Sequence, residues 1–198
     1  MGEGLKSAAY GHIYLKAAAN ESGRPGRHGG MQMYRAAIIT LSDKGARGER
    51  EDVSGQVIRE LLTEGGYEIA EQLLLSDDRE GLTRELVRIA DTGAADLVVT
   101  TGGTGFSVRD NAPEATMDAI ERNALGIAEA MRMQSLSITP RGMLSRGVSG
   151  IRKRTLIVNL PGSPKAVREN LSFILSSLDH GIAILKGDAG ECAQVPNA

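Results

Sequence analysis

Apolar and polar positions change period several times along this chain, and each change marks an element. Tyr34 to Leu41 is mostly apolar and predicts a buried strand. Ser42 to Glu51 is polar, contains glycine and predicts a loop. Val53, Val57, Ile58, Leu61 and Leu62 fall on one helical face that stops at Gly65-Gly66. Tyr67 to Leu75 alternates as a second strand. Leu82, Leu86, Val87 and Ile89 mark a second helix ending near Gly93. Asp96 to Thr101 predicts a third strand, 112–134 a helix interrupted near Gly126, and Thr155 to Leu160 a further strand. Pro161-Gly162-Ser163-Pro164 turns the chain into a last helix with Val167, Leu171, Ile174, Leu175 and Leu178 inward.

This alternation predicts an α/β fold: a three-layer sandwich whose mostly parallel central sheet is covered by helices on both faces. Ligands in such folds sit beyond the carboxyl ends of the strands. The loops after Leu41, Leu75, Thr101 and Leu160 are therefore expected to share one rim. Residues 1–33 are rich in glycine and sustain no apolar stripe, and read as a disordered or weakly ordered extension. The domain is placed at 34–190 and a tail at 191–198.

Composition narrows the chemistry. The 198 residues are 41% hydrophobic and 24% charged, which suits one ordinary globular domain. A net charge of −2 and only 3% aromatic residues argue against nucleic acid as a partner. No run is apolar enough to span a membrane and no secretory leader is visible, so a cytoplasmic protein is expected. One cysteine excludes an internal disulfide and a cysteine-cluster metal site. Of three histidines, only His180 lies in the domain. Chemistry must then lean on carboxylates, Lys/Arg, hydroxyls and backbone dipoles, which suits phosphoryl or nucleotidyl transfer.

The stretch Thr100-Thr101-Gly102-Gly103-Thr104-Gly105 joins the third strand to a helix start at Asn111-Ala112-Pro113-Glu114. Asn111 is expected to cap that helix, with Glu114 three positions on. Strand, glycine turn and helix start make an anion cradle. A side chain at Gly103 is expected to stand between backbone and phosphate. The pattern is neither a dinucleotide fingerprint, since Val108 replaces the third glycine, nor a P-loop, since no lysine follows. Asp110 adds a carboxylate to the cradle. Asp77 follows the second strand and reads equally as a helix cap or as a member of the same rim. Two carboxylates beside a phosphate cradle suit Mg²⁺, which takes one or two carboxylates plus substrate phosphates. Asn159 to Lys165 is a second strand–turn–helix junction. The basic group Arg146, Arg152, Lys153 and Arg154 is either a solvated face or a counter to an anionic substrate.

Several blocks in order resemble the molybdopterin adenylyltransferase family, the MoaB/Mog-like domain also found in gephyrin-type proteins. They are Thr40-Leu41-Ser42-Asp43, Asp52, Asp77, Thr100 to Gly105, Asp110 with Pro113-Glu114-Ala115-Thr116, Leu144-Ser145-Arg146, and Leu160 to Lys165. The resemblance covers about residues 34–187. It implies transfer of AMP from ATP to the terminal phosphate of molybdopterin, with Mg²⁺ as cofactor and pyrophosphate as second product. It implies a homotrimer and contact with the molybdenum insertion protein. Asp77 and Asp110 match the family's two essential aspartates, in catalytic and metal-holding roles. Thr101, Gly102, Gly103, Thr104 and Gly105 would hold substrate phosphate. Ser145, Arg146, Pro161, Gly162, Ser163 and Lys165 would line the rest of the pocket. The alternative is a non-catalytic molybdopterin-binding or scaffold protein of the same fold.

Overall fold

The computed structural model describes residues 33–188. The extension at 1–33, except Met33, and the tail at 191–198 lie outside the described residues. Six strands form one sheet: β1 (Arg35–Leu41), β2 (Glu68–Leu75), β3 (Leu97–Thr101), β4 (Arg122–Asn123), β5 (Ser149–Arg152) and β6 (Thr155–Leu160). Their spatial order is β2-β1-β3-β6-β5-β4. The first four are parallel, and β5 and β4 add an antiparallel edge. The helices are α1 (Asp43–Ala46), α2 (Val53–Glu64), α3 (Arg79–Thr92), α4 (Ala112–Ala119), α5 (Leu125–Ile138) and α6 (Pro164–Lys186), with a 3₁₀ turn at Pro140–Leu144.

The pleat divides the core. Ala36, Ile38, Val99 and Val158 face α2, α5 and α6, packing on Ile58, Leu62, Met131 and Leu171. Ala37, Ile39, Val98 and Ile157 face α3 and α4, packing on Leu86, Ile89, Ala115 and Ala119. Strands β1, β3 and β6 carry apolar residues to both faces because both faces are covered.

Register sets the functional end of the sheet. Leu41 pairs with Leu75, Thr40 with Thr101, and Thr101 with Leu160, so four parallel strands end nearly level. From β1 the chain leaves toward α2 on one face, and from the adjacent β3 toward α4 on the other. Loops that part in this way open a crevice at the carboxyl edge of the sheet.

Three segments depart from the expectation. Ser42 to Glu51 contains the single turn α1, capped by the Ser42 hydroxyl on the Gly45 N–H at 3.0 Å. The 112–134 segment breaks at Ile120 to Ala124 rather than at Gly126, because Arg122 and Asn123 pair with β5. The basic run does not counter a rim ligand as a group. Lys153 and Arg154 make the two-residue turn of the β5–β6 hairpin, at the end of β6 opposite Leu160. There Arg152 forms a bidentate pair with Asp91 at 2.8 Å and Lys153 pairs with Glu121 at 3.2 Å.

Candidate functional site

The crevice is a cleft of about 550 Å³ at the ends of β1 and β3. It brings together Asp77, Asp110, Thr101, Gly102, Gly103, Gly162 and Ser163, with Thr40 and the start of α2. Local chemistry explains each wall. Asp52 caps α2 through the Gly55 N–H at 2.8 Å. Ser163 caps α6 through the Ala166 N–H at 3.3 Å, with Pro164 in the first turn. Two helix N-termini thus open into the cleft and favour anions there. Asn111 occupies the start of α4, but its side chain makes no capping bond. The Glu114 carboxylate instead reaches Arg146.

Gly102 and Gly103 both have positive φ, +94° and +63°. A Cβ on Gly102 would lie 2.4 Å from the Leu41 carbonyl oxygen. The absence of a side chain lets β3's turn settle onto the end of β1. Gly162 packs against the same turn, where an added Cβ would meet the Gly102 Cα at 3.3 Å. Gly103 lines the cleft too, and a Cβ there would meet the Ala112 Cβ at 3.3 Å and the Leu41 Cδ1 at 3.4 Å.

Asp77 does not cap α3. Its neighbour Asp78 does, accepting from the Gly81 N–H at 2.7 Å. Asp77 is half-buried and exchanges bonds with Asp43: the Asp43 N–H donates to Asp77 Oδ2 and the Asp77 N–H to Asp43 Oδ1, each 3.0 Å. Arg109 grips Asp43 with N–O distances of 2.9 and 3.0 Å. Burial pushes the Asp77 carboxyl up, and the charges of Asp43 and Asp110 add to this. The Asp43 N–H and Arg109 work against it without cancelling it. Asp43 is held below the usual carboxylate range, chiefly by its bonds from Arg109 and then by the Asp77 N–H. Asp110 Oδ2 accepts from the Ser107 N–H at 2.9 Å, closing its own loop.

Arg146 serves the architecture of the glycine turn. Its Nε donates to the Gly105 carbonyl at 2.7 Å, and its two terminal nitrogens reach Glu114 and the Asp110 carbonyl. Burial opposes charge on Glu114, but Arg146 and the Glu114 N–H outweigh it and hold the carboxyl low. The Arg146 N–H also donates to the Thr104 carbonyl at 2.9 Å. Arg146 and Asp110, with Phe106 and Glu114, line a second, shallower hollow of about 490 Å³. Ser145 and Pro161 line a separate water-sized cavity with Arg132, Asn159 and Asn170. Lys165 stands outside these cavities, its side chain 81% exposed and 3.9 Å from Glu169. Sequence reasoning assigned no role to Asp43 and none at all to Arg109. A charged residue in a polar loop reads as solvated, and only the fold places Arg109 across from Asp43.

Among the described residues, no three or more His, Cys, Asp or Glu side chains gather where a metal ion could sit. Of the four carboxylates that line the cleft, Asp52 caps α2 and Glu51 accepts from Gln56; Asp77 and Asp110 are the two that the sequence proposes for a metal. That pair fits Mg²⁺ only as a partner to substrate phosphates, which supply the remaining oxygens.

A mostly parallel sheet with carboxylates, a glycine turn and two helix N-termini at its carboxyl rim defines an α/β domain whose rim favours anionic ligands. Residues 37–180 match the family described as a probable molybdopterin binding domain, and the chain belongs to that family. It is similar to the molybdopterin adenylyltransferase of Helicobacter pylori J99, 38% identical over 165 residues, covering 80% of this chain and 91% of that one. The molybdopterin adenylyltransferase of Escherichia coli K12 is 37% identical over 147 residues, covering 73% and 75%. Among solved structures, the molybdopterin biosynthesis enzyme MoaB of Thermus thermophilus matches with TM-score 0.74 and 46% identity, over 78% of this chain and 98% of that one.

Proposed function

We propose that this protein is a molybdopterin adenylyltransferase, joining AMP from ATP to the terminal phosphate of molybdopterin and releasing pyrophosphate. The observation that carries the reading is the convergence of Asp77 and Asp110 with the Gly102-Gly103 turn and the α2 and α6 N-termini in one cleft. The similarity to the adenylyltransferases of two bacteria supports the same reading.

An oxygen of the pterin's terminal phosphate attacks the α-phosphorus of ATP, and the bond to pyrophosphate breaks. Both partners are anions, so the protein's task is to hold them together in line. The helix N-termini offset the negative charge, and the level strand ends fix where the phosphates lie. Asp77 and Asp110 would hold Mg²⁺ together with those phosphates; when bound, the ion neutralises charge on the reacting oxygens. A phosphate nucleophile needs no strong base, which suits a domain with His180 as its one described histidine.

We further propose a homotrimer. The apolar side chains of Leu125, Met133 and Leu136 on α5, and Met143 and Leu144 in the 3₁₀ turn, are exposed and would be covered by a second copy. In the same reading the product passes to the molybdenum insertion protein in the cytoplasm. No helix among the described residues is long and apolar enough to cross a membrane. The test is direct: protein, molybdopterin, ATP and Mg²⁺ are mixed, and pyrophosphate and the adenylylated pterin are measured. Pterin binding without pyrophosphate release would leave a binding protein in place of an enzyme.

A further inference from the structure

Thr40 is the penultimate residue of β1, on the face that carries Ile38 toward α2. It is 6% exposed, and it forms part of the cleft wall. Its register partner is Thr101, whose hydroxyl donates to the Pro161 carbonyl at 2.7 Å. Ser54, also in the cleft lining, donates to the Gly162 carbonyl at 2.8 Å. Those two hydroxyls hold the turn after β6. Thr40 Oγ1 is buried and has no hydrogen-bond partner. Among the described residues the same is true of one other side-chain oxygen, Glu114 Oε2, but that carboxylate is already committed to Arg146 through Oε1.

A buried hydroxyl with no partner disfavours the folded state, and native structures tolerate few of them. One that lines a binding cleft is satisfied once a ligand brings an acceptor. The surroundings select the acceptor. The first turns of α2 and α6 open into the same cleft, and their positive ends favour an anionic oxygen.

We propose that the Thr40 hydroxyl is a substrate-binding donor to a phosphate oxygen of the ligand that fills the cleft. This rests on the function proposed above and adds to it a binding residue in the cleft wall. The phosphate belongs either to ATP or to the pterin, and the two arms of the test tell them apart.

The test uses the full chain with Thr40→Val, which keeps the shape and removes the hydroxyl, and Thr40→Ser, which keeps the hydroxyl. Calorimetric titrations with Mg-ATP alone and with molybdopterin alone are paired with thermal melts without ligand. The expected result is about tenfold weaker binding of one of the two ligands by Thr40→Val, equivalent to about 1.4 kcal/mol. Its ligand-free Tm should equal or exceed that of the wild type, and Thr40→Ser should bind as the wild type does. The arm that weakens names the phosphate. Wild-type affinity of Thr40→Val for both ligands would overturn the proposal. So would a lowered ligand-free Tm that Thr40→Ser restores, which would assign the hydroxyl to the fold, or a wild type that binds neither ligand. A wild type that binds both ligands but releases no pyrophosphate would defeat the adenylylation reading and leave the Thr40 result standing.

Discussion

Gly102→Ala is the sharpest single perturbation of the rim. The glycine's φ of +94° costs an L-residue about 1–2 kcal/mol. The new Cβ would also sit 2.4 Å from the Leu41 carbonyl oxygen. That oxygen belongs to the backbone of a central strand and cannot swing aside as a flexible side chain would. Relief requires the ends of β1 and β3 to separate, an overpacking cost of about 1–3 kcal/mol. The sum is about 2–5 kcal/mol, within the stability of an ordinary domain, so the variant should still fold. At about 2–4 °C per kcal/mol for a chain of this size, Tm should fall by about 4–20 °C. Gly103→Ala is the control. Its φ of +63° is ordinary left-handed geometry, and its contacts at 3.3 and 3.4 Å need only small adjustment. Its loss should stay near the left-handed backbone cost of about 1–2 kcal/mol. Differential scanning calorimetry on both variants decides. If Gly102→Ala melts within about 2 °C of Gly103→Ala, the carbonyl contact is not what demands glycine, and the account of the turn is wrong.

Asp77→Asn should lower pyrophosphate release by about a hundredfold or more, measured in a coupled phosphate assay. The same variant should melt higher than the wild type at neutral pH. A carboxyl whose folded pKa is raised binds its proton more tightly in the folded state, so ionising it as pH rises costs stability; a lower Tm would contradict this. Arg146→Lys should lose about 1.5–3 kcal/mol in denaturant unfolding, because an ammonium cannot span Glu114 and the carbonyls of Gly105 and Asp110 together. Asp43, Asp91 and Asp118 have folded pKa values below 3.8, each chiefly through an arginine. Their stabilisation is present above that value and lost as pH falls through the lower folded ones, so Tm should decline as the pH is taken below about 4.

The parallel core was legible in the sequence because β1, β3 and β6 are buried on both faces and carry unbroken apolar runs. The helices α2, α3 and α6 were legible because each buries one stripe. The antiparallel edge was not. Strand β4 is two exposed residues, Arg122 and Asn123, that become a strand only through pairing with Ile151 and Gly150, nearly thirty positions away. The rim residues were found through their motifs, but their division of labour was not. Which carbonyls or carboxylates an arginine meets depends on distant backbone, so the bonds of Arg146 to the loop and the pairing of Arg109 with Asp43 were not legible. Asp77 and Asp78 are chemically equal in sequence, and only the start of α3 decides which one caps it.

The clamp on the β3–α4 loop has a consequence for how this rim can diversify. Arg146 secures the loop by the carbonyls of Gly105 and Asp110, and Asp110 ties back to the Ser107 N–H. Every one of these anchors is backbone on the loop's side, apart from the Asp110 carboxylate. Phe106 and Val108, 70% and 99% exposed, line the second, shallower hollow and are held there by bonds that do not involve their side chains. Their identity is thereby uncoupled from the loop's shape. Two positions beside the chemistry are free to drift, or to be randomised in a library, while the scaffold beneath them stays fixed.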